Sequence, residues 1–198
     1  MSIANYFTLS RLLISPIFLI VYLEHEFLGI HFLFLPYILI FLLTLLELSD
    51  AFDGYLARKY NQVTDLGKIL DPMADSISRI SIFLAFTEGV IQLPMFYVFV
   101  FLYRDSVIST LRTMCALKGV ALAARTSGKI KAVVQAVSAY VILILMIPNS
   151  LGFLSLSSLR IISKSIVGLA CLYAVFSGCE YIYANRDFIR KNLSASKK

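Results

Sequence analysis

Residues 50–75 read DAFDGYLARKYNQVTDLGKILDPMAD, and they place Asp50, Asp53, Asp71 and Asp75 in a chain that is otherwise strongly apolar. An ionised carboxylate is costly in hydrocarbon unless a nearby positive charge compensates it. The simplest compensation for four carboxylates is a pair of divalent cations. The stretch therefore predicts a metal site at a membrane surface, and it points to chemistry on phosphate groups.

The composition is typical of an integral membrane protein. The chain has 198 residues, of which 59% are hydrophobic and 15% charged, whereas about 25% of residues are charged in a soluble domain. The net charge is +6, but the basic residues cluster at the ends of apolar runs, as membrane topology requires. Nucleic acid is therefore not an expected partner. We expect a single domain over residues 1–198, with an interfacial segment at 1–8 and a basic cytoplasmic tail at 185–198.

Six apolar stretches are long enough, or nearly long enough, to cross a bilayer. They are Thr8–Leu23, Phe27–Ser49, Asp71–Val90, Pro94–Leu117, Ile130–Ile147 and Leu159–Ala184. The connections between them are short. The sequence thus predicts an all-α fold, a bundle of six transmembrane helices.

The connecting loops separate by charge. The loops on one side carry Glu24, Glu26 and Glu88 and no Lys or Arg, whereas most basic residues fall on the other side. By the positive-inside rule, both termini and the aspartates face the cytoplasm. Arg160 and Lys164, near the outer end of the sixth stretch, are the main exceptions. The expected location is the cytoplasmic, or inner, membrane.

The spacing of the aspartates places them on helix faces. Asp50 and Asp53 are three residues apart, and Asp71 and Asp75 are four apart, so each pair shares one face of a helix. The short loop between the pairs predicts adjacent antiparallel helices with facing carboxylates. Mg²⁺ prefers such oxygen ligands, with Mn²⁺ as a substitute, and two ions can clamp a phosphoryl transfer. The alternative is that the carboxylates only cap helix ends beside basic neighbours.

Residues between the aspartates suit a phosphate ligand. Gly54, Ala57 and Gly67 leave room for a ligand or a close helix. Arg58 supplies a guanidinium group, which binds phosphate through two hydrogen bonds.

Charged residues also lie inside the fourth stretch. Arg104, Asp105 and Arg112 fall well within it, and arginines in a membrane line a polar cavity or pair with acids. Two such arginines favour an anionic ligand, and a phosphate is the natural one. The alternative is a structural ion pair with Asp105 or Glu180.

Lys129 and Lys131 open the fifth stretch about 200° apart around a helix. Only one of them is therefore expected to point into the bundle, and the other is expected to meet the lipid headgroups.

The aspartate stretch resembles the signature of the CDP-alcohol phosphotransferase family, D-x2-D-G-x2-A-R-x8-G-x3-D-x3-D, at every fixed position. The resemblance implies a six-helix membrane enzyme, usually a homodimer, that transfers a phosphatidyl-type group from a CDP-linked donor to an alcohol and releases CMP. The implied metal ligands are Asp50, Asp53, Asp71 and Asp75, which hold two Mg²⁺ ions. The implied catalytic residues are Asp71 and Asp75, with Asp75 as general base. The implied donor-binding residues are Asn5, Thr8, Asp50, Asp53, Gly54, Ala57, Arg58 and Gly67.

Three further segments resemble the phosphatidylglycerophosphate synthases of that family: NYFTLSR at 5–11, YRDSVISTLR at 103–112 and SGKIKAVVQ at 127–135. Asp105 and Ala132 depart from the commoner Glu and Thr of that group. The implied donor is CDP-diacylglycerol and the implied acceptor is sn-glycerol 3-phosphate. The implied ligands of the acceptor phosphate are Arg11, Arg104, Arg112 and Lys129 or Lys131.

Other readings change the acceptor or the class of protein. Inositol phosphate would use the same arginines, serine would not need two of them, and a second lipid is a further alternative acceptor. A prenyltransferase also uses aspartates with Mg²⁺, but the DG-x2-AR element has no role there. A cation transporter would place paired carboxylates near the bilayer midplane in repeats, and this chain shows no internal repeat.

Overall fold

The computed structural model describes the backbone of residues 3–59, 65–117, 126–186 and 189–190, and the side chains of 9–52, 73–115, 126–186 and 189–190. Within these ranges the fold is all-helical. Its six helices are α1 (Ile3–Leu23), α2 (Leu35–Lys59), α3 (Asp65–Ala85), α4 (Met95–Leu117), α5 (Thr126–Ser150) and α6 (Leu156–Ala184).

Three of these helices have the length and composition of membrane spans. They are Leu35–Phe52 within α2, the whole of α5 and the whole of α6, and α1 adds a shorter apolar stretch, Leu9–Leu23. Large apolar side chains also face outwards, including Phe96, Leu169 and Leu172. A surface of this kind is suited to lipid rather than water, and the chain is a membrane protein.

The helices pack around an aromatic core. Helix α1 packs against both α2 and α3, while α6 packs against α4 and α5. Phe86 lies edge-on to Phe18 and Phe83, with ring centroids 6.1 and 6.2 Å apart. The Phe83 and Phe101 rings, from α3 and α4, are 4.9 Å apart. These contacts join three helices near the end of the bundle where α3 ends.

Several predicted boundaries in the first half of the chain are wrong. Helix α2 begins at Leu35 rather than Phe27, because the chain turns first and Gly29 has φ +69°, a conformation that favours glycine. Helix α3 runs from Asp65 to Ala85 rather than from Asp71 to Val90. A prediction from apolar character alone omits the polar residues at the end of a helix, and it includes apolar residues that lie in a loop. The predicted interfacial segment 1–8 is continuous with the first apolar stretch, since α1 runs unbroken from Ile3.

Tyr22 fastens the loop between α3 and α4. Its hydroxyl donates to the Glu88 carbonyl oxygen and accepts from the Ile91 N–H, both at 3.1 Å. Arg160 of α6 donates from Nε to the Val90 carbonyl oxygen at 2.9 Å. This contact explains a basic residue on the side of the bundle that otherwise carries acidic loops. The same loop contains Gly89, which has φ +63°.

We predict that Gly89→Ala destabilises the protein more than Gly29→Ala. Both glycines have positive φ, which costs an alanine about 1–2 kcal/mol. A Cβ at Gly89 would also lie 3.1 Å from Cε1 of the Tyr22 ring, whereas one at Gly29 meets nothing within 4 Å. Apparent Tm values in detergent measure the difference, and equal losses in the two variants would contradict the packing role of Gly89.

Candidate active site

Helix α1 brings an arginine between Asp50 and Asp75, the two aspartates of residues 50–75 whose side chains are described. Arg11 is 2% exposed, and its Nη1 donates to Oδ1 of Asp50 at 2.8 Å and to Oδ1 of Asp75. The carboxylates of α2 and α3 therefore meet at one nitrogen atom supplied by α1. The sequence predicted that Asp50 and Asp75 lie close together, but it did not connect Arg11 to them.

Further charged groups line the same place. A cavity of about 20 Å³ is bounded by Arg11, Leu46, Glu47, Asp50, Asp75, Ser78, Arg79 and Ile82. Nη2 of Arg79 lies 3.8 Å from Oδ2 of Asp50. Each Asp50 oxygen thus faces a guanidinium group. A cavity of this size is sufficient for one water molecule or one small ion.

Glu47, Ser78 and Arg79 were missed by the sequence analysis. The signal was present in the spacing, because Glu47 is three residues before Asp50, and Ser78 and Arg79 are three and four residues after Asp75. Residues at these separations share a helix face.

The described part of this site fits a divalent cation. Two carboxylate oxygens from different helices converge on one position, and that position already accommodates a positively charged group. Carboxylate oxygens are the ligands that Mg²⁺ prefers. Among the described side chains no group of three or more His, Cys, Asp or Glu forms a metal cluster. The predicted ligands Asp53 and Asp71 lie outside the described side chains.

Most of the predicted donor-binding residues also fall outside the described side chains. These are Asn5, Thr8, Asp53, Gly54, Ala57, Arg58 and Gly67.

A second polar cluster joins α4, α5 and α6. Nζ of Lys131 donates to both carboxylate oxygens of Asp105, at 2.8 and 2.7 Å. Arg104 donates from Nη1 to Asp105 at 3.1 Å and from Nη2 to Oγ of Ser177 at 2.6 Å. Gly178 makes room for Arg104, since a Cβ there would lie 3.2 Å from its Cγ. Asp105 therefore pairs with two cations, and the cluster keeps an excess positive charge.

The other predicted acceptor ligands occupy different surroundings. Lys131 is buried, whereas Lys129 is exposed, so Lys131 is the lysine that points into the bundle. The guanidinium carbon of Arg112 lies 5.4 Å from the centre of the Tyr181 ring, a cation–π arrangement. Arg112 does not share the Asp105 cluster in the described contacts. Arg11 lies with the aspartates rather than with Arg104.

The amino-acid sequence matches a known family over most of its length. The sequence model of the CDP-alcohol phosphatidyltransferases matches residues 1–176. The chain belongs to the CDP-alcohol phosphatidyltransferase family. Enzymes of this family generally use divalent metals, in agreement with the chemistry of the Asp50 and Asp75 position.

Individual members of the family are similar across almost the whole chain. The CDP-diacylglycerol–glycerol-3-phosphate 3-phosphatidyltransferase of Rickettsia typhi is 29% identical over 94% of this chain and 98% of its own length. The enzyme of the same name from Rickettsia felis is 30% identical, over 94% and 97%. That of Bacillus subtilis is 29% identical, over 96% and 97%. This CDP-alcohol phosphatidyltransferase is therefore a transferase of phospholipid synthesis.

We predict that Asp105→Asn lowers the free energy of unfolding by about 3 kcal/mol, because removing one partner leaves buried charges uncompensated. Lys131 and Arg104 would lose their shared carboxylate in a site where both side chains are largely buried.

Ser177→Ala is the matched control for Asp105→Asn. It removes only a neutral hydrogen-bond partner of Arg104 and should cost about 1 kcal/mol. Apparent Tm in detergent ranks the two variants, and a larger loss in Ser177→Ala would show that Asp105 does not hold the cluster together.

Proposed function

We propose that the chain transfers the phosphatidyl group of CDP-diacylglycerol to sn-glycerol 3-phosphate, giving phosphatidylglycerophosphate and CMP. The observation that carries this proposal is the convergence of Asp50 and Asp75, the first and last aspartates of the family signature, on one cation position. The names of the relatives from Rickettsia and Bacillus support the donor and the acceptor.

The proposed reaction is a single displacement at phosphorus. The primary hydroxyl oxygen of sn-glycerol 3-phosphate forms a bond to the β-phosphorus of the donor. The bond from that phosphorus to the bridging pyrophosphate oxygen breaks, and CMP leaves with that oxygen. Asp75, with Asp71 beside it on α3, takes the hydroxyl proton as general base. Arg79 and Arg11 lie close enough to balance charge as the phosphates bind.

The proposed cofactor is a pair of Mg²⁺ ions, for which Mn²⁺ can substitute, held by Asp50, Asp53, Asp71 and Asp75. Bound there, the ions would neutralise phosphate charge and polarise the attacking hydroxyl group. The carboxylates would position the ions.

The donor would bind along the signature and the start of α1. The proposed contacts are those implied by the family resemblance: Asn5, Thr8, Asp50, Asp53, Gly54, Ala57, Arg58 and Gly67. Gly54 and Gly67 would allow close approach of the nucleotide, and Arg58 would bind a phosphate oxygen pair.

The acceptor phosphate would bind at the second polar cluster. Arg104 and Lys131 share a single carboxylate, that of Asp105, so a phosphate would complete their charge balance. A charge-assisted hydrogen bond in a buried site is among the strong ones. Arg112, two turns along α4, and Arg11 are further proposed phosphate ligands. Lys129 is set aside because its side chain is exposed.

We propose that all six helices cross the membrane and that both termini and the site face the cytoplasm. Helices α3 and α4 carry more charge than a simple span, but Arg104 and Asp105 of α4 pair with each other, and Asp105 also pairs with Lys131, as charged residues in a membrane must. The basic loops support this orientation. The relatives are bacterial proteins, which supports a location in the cytoplasmic, or inner, membrane. A homodimer is proposed on the family resemblance, and light scattering in detergent measures it.

We predict that purified protein with CDP-diacylglycerol and Mg²⁺ releases CMP only when sn-glycerol 3-phosphate is present. Inositol phosphate, inositol and serine, each added alone, should give no CMP above background. Inositol phosphate also brings a phosphate to Arg104 and Lys131. Release of CMP with this alcohol would therefore agree with the role of the aspartates and contradict the proposed acceptor. No release from folded protein with any acceptor would overturn the proposed activity.

The Asp75→Asn variant controls that assay. Loss of a general base lowers turnover by about 10²–10⁴-fold, and the variant should still bind the CDP-linked donor. Full activity in this variant would contradict the role given to Asp75.

We predict that Lys131→Gln raises KM for sn-glycerol 3-phosphate by about 10- to 100-fold, since a hydrogen bond to a charged group contributes about 1.5–3 kcal/mol. KM for CDP-diacylglycerol should change little. Lys129→Gln removes the same charge two residues away, on an exposed side chain, and should change the acceptor KM far less. Equal effects of the two substitutions would indicate bulk electrostatics rather than a phosphate site.

A further inference from the structure

Arg11 stands in an unusual position for a residue expected to contact phosphate. It is almost completely buried, and its Nη1 contacts one carboxylate oxygen of Asp50 and one of Asp75. Its partners come from helices 39 and 64 residues further along the chain. The guanidinium group thus lies at the point where Asp50 of α2 and Asp75 of α3 converge.

We propose that Arg11 is a displaceable internal cation: it holds Asp50 and Asp75 together until a divalent cation takes its place. This inference rests on the proposed role of the two aspartates as metal ligands. It adds that Arg11 competes with the metal for the two carboxylates, and that Arg11 changes its partners when the metal binds.

Competition follows from the atoms involved. The Oδ1 atoms of Asp50 and Asp75 both face Arg11 Nη1. A metal bound to both oxygens would occupy the space of that nitrogen, and the two positive groups would repel each other. A divalent ion carries twice the charge of the guanidinium group and prefers carboxylate oxygens. The metal can therefore bind both aspartates only after Arg11 withdraws.

Arg79 provides an internal comparison. It also approaches Asp50, but at 3.8 Å and at the other oxygen. Among the described side chains, Arg79 forms an ion pair with Asp50 and none with Asp75. Arg79 contributes the same charge as Arg11 without occupying the bridging position. Substitution of each arginine in turn therefore distinguishes displacement of Arg11 by the metal from general electrostatic repulsion of the metal.

Withdrawal of Arg11 has a chemical consequence for the substrate. A guanidinium group released from carboxylates is suited to bind phosphate oxygens in the same planar manner. Once freed from the two carboxylates, Arg11 would be able to bind a phosphate oxygen of the substrate. Metal binding and phosphate binding become successive steps that use the same arginine.

Binding of Mn²⁺ alone, followed by electron paramagnetic resonance, tests the competition in wild-type protein, Arg11→Gln and Arg79→Gln. If the bridged form is favoured about tenfold, removing it tightens the apparent Kd by about tenfold. We expect that gain in Arg11→Gln and a much smaller gain in Arg79→Gln. Weaker Mn²⁺ binding by Arg11→Gln, or equal gains in both variants, would overturn the proposal.

A second measurement uses the unmodified chain and does not depend on the folding of a variant. Phenylglyoxal labels accessible arginines, and mass spectrometry of peptides reports Arg11 and Arg79 separately. We expect Mn²⁺ to increase the labelling rate of Arg11 severalfold relative to Arg79. An unchanged or reduced rate at Arg11 in the presence of bound Mn²⁺ would overturn the displacement.

The two proposals fail in different ways. Absence of Mn²⁺ binding in wild-type protein and both variants would overturn the metal role of the aspartates together with the displacement. Binding of Mn²⁺ without a change in Arg11 reactivity would overturn the displacement alone.

Discussion

A charge inside an apolar bundle must have a partner, and the arrangement of helices α1, α2 and α3 follows from that requirement. The side chains of Asp50 and Asp75 are 36% and 32% exposed, so each carboxylate has lost part of its hydration and is stabilised by a cation beside it. Arg11 compensates both with one nitrogen, and it can do so only because α1 packs against α2 and α3 together. The ion pair and the packing of the three helices therefore depend on each other.

The same requirement applies to helices α4, α5 and α6, where the signs of the charges are reversed. There one carboxylate, Asp105, serves two cations, Arg104 and Lys131. Ser177 supplies the remaining contact from α6. Helices α4, α5 and α6 are thus joined by one carboxylate between two cations, whereas α1, α2 and α3 are joined by one guanidinium group between two carboxylates.

The features that the sequence could predict are those set by residues close together along the chain. The apolar runs indicated six helices, and helical spacing put Asp75 on a defined face and separated Lys129 from Lys131. Which lysine faces inwards required the packing of α5, because a lone helix has no inside. The start of α2 was misplaced because Phe27 is apolar but lies in an exposed turn. The link from Arg11 to Asp50 and Asp75 spans 39 and 64 residues, and no local pattern encodes a contact of that range.

The fastening of the α3–α4 loop by Tyr22 and Arg160 affects how the molecule can move. It lies about ten residues of α3 from Asp75, or roughly 15 Å along the helix axis. Hydrogen bonds thus join α1 and α6 to the α3–α4 loop at this end of the bundle, while Arg11 joins α1 to α2 and α3 at Asp50 and Asp75. Separation of α1 from α3 at either end must break one of these two sets of contacts.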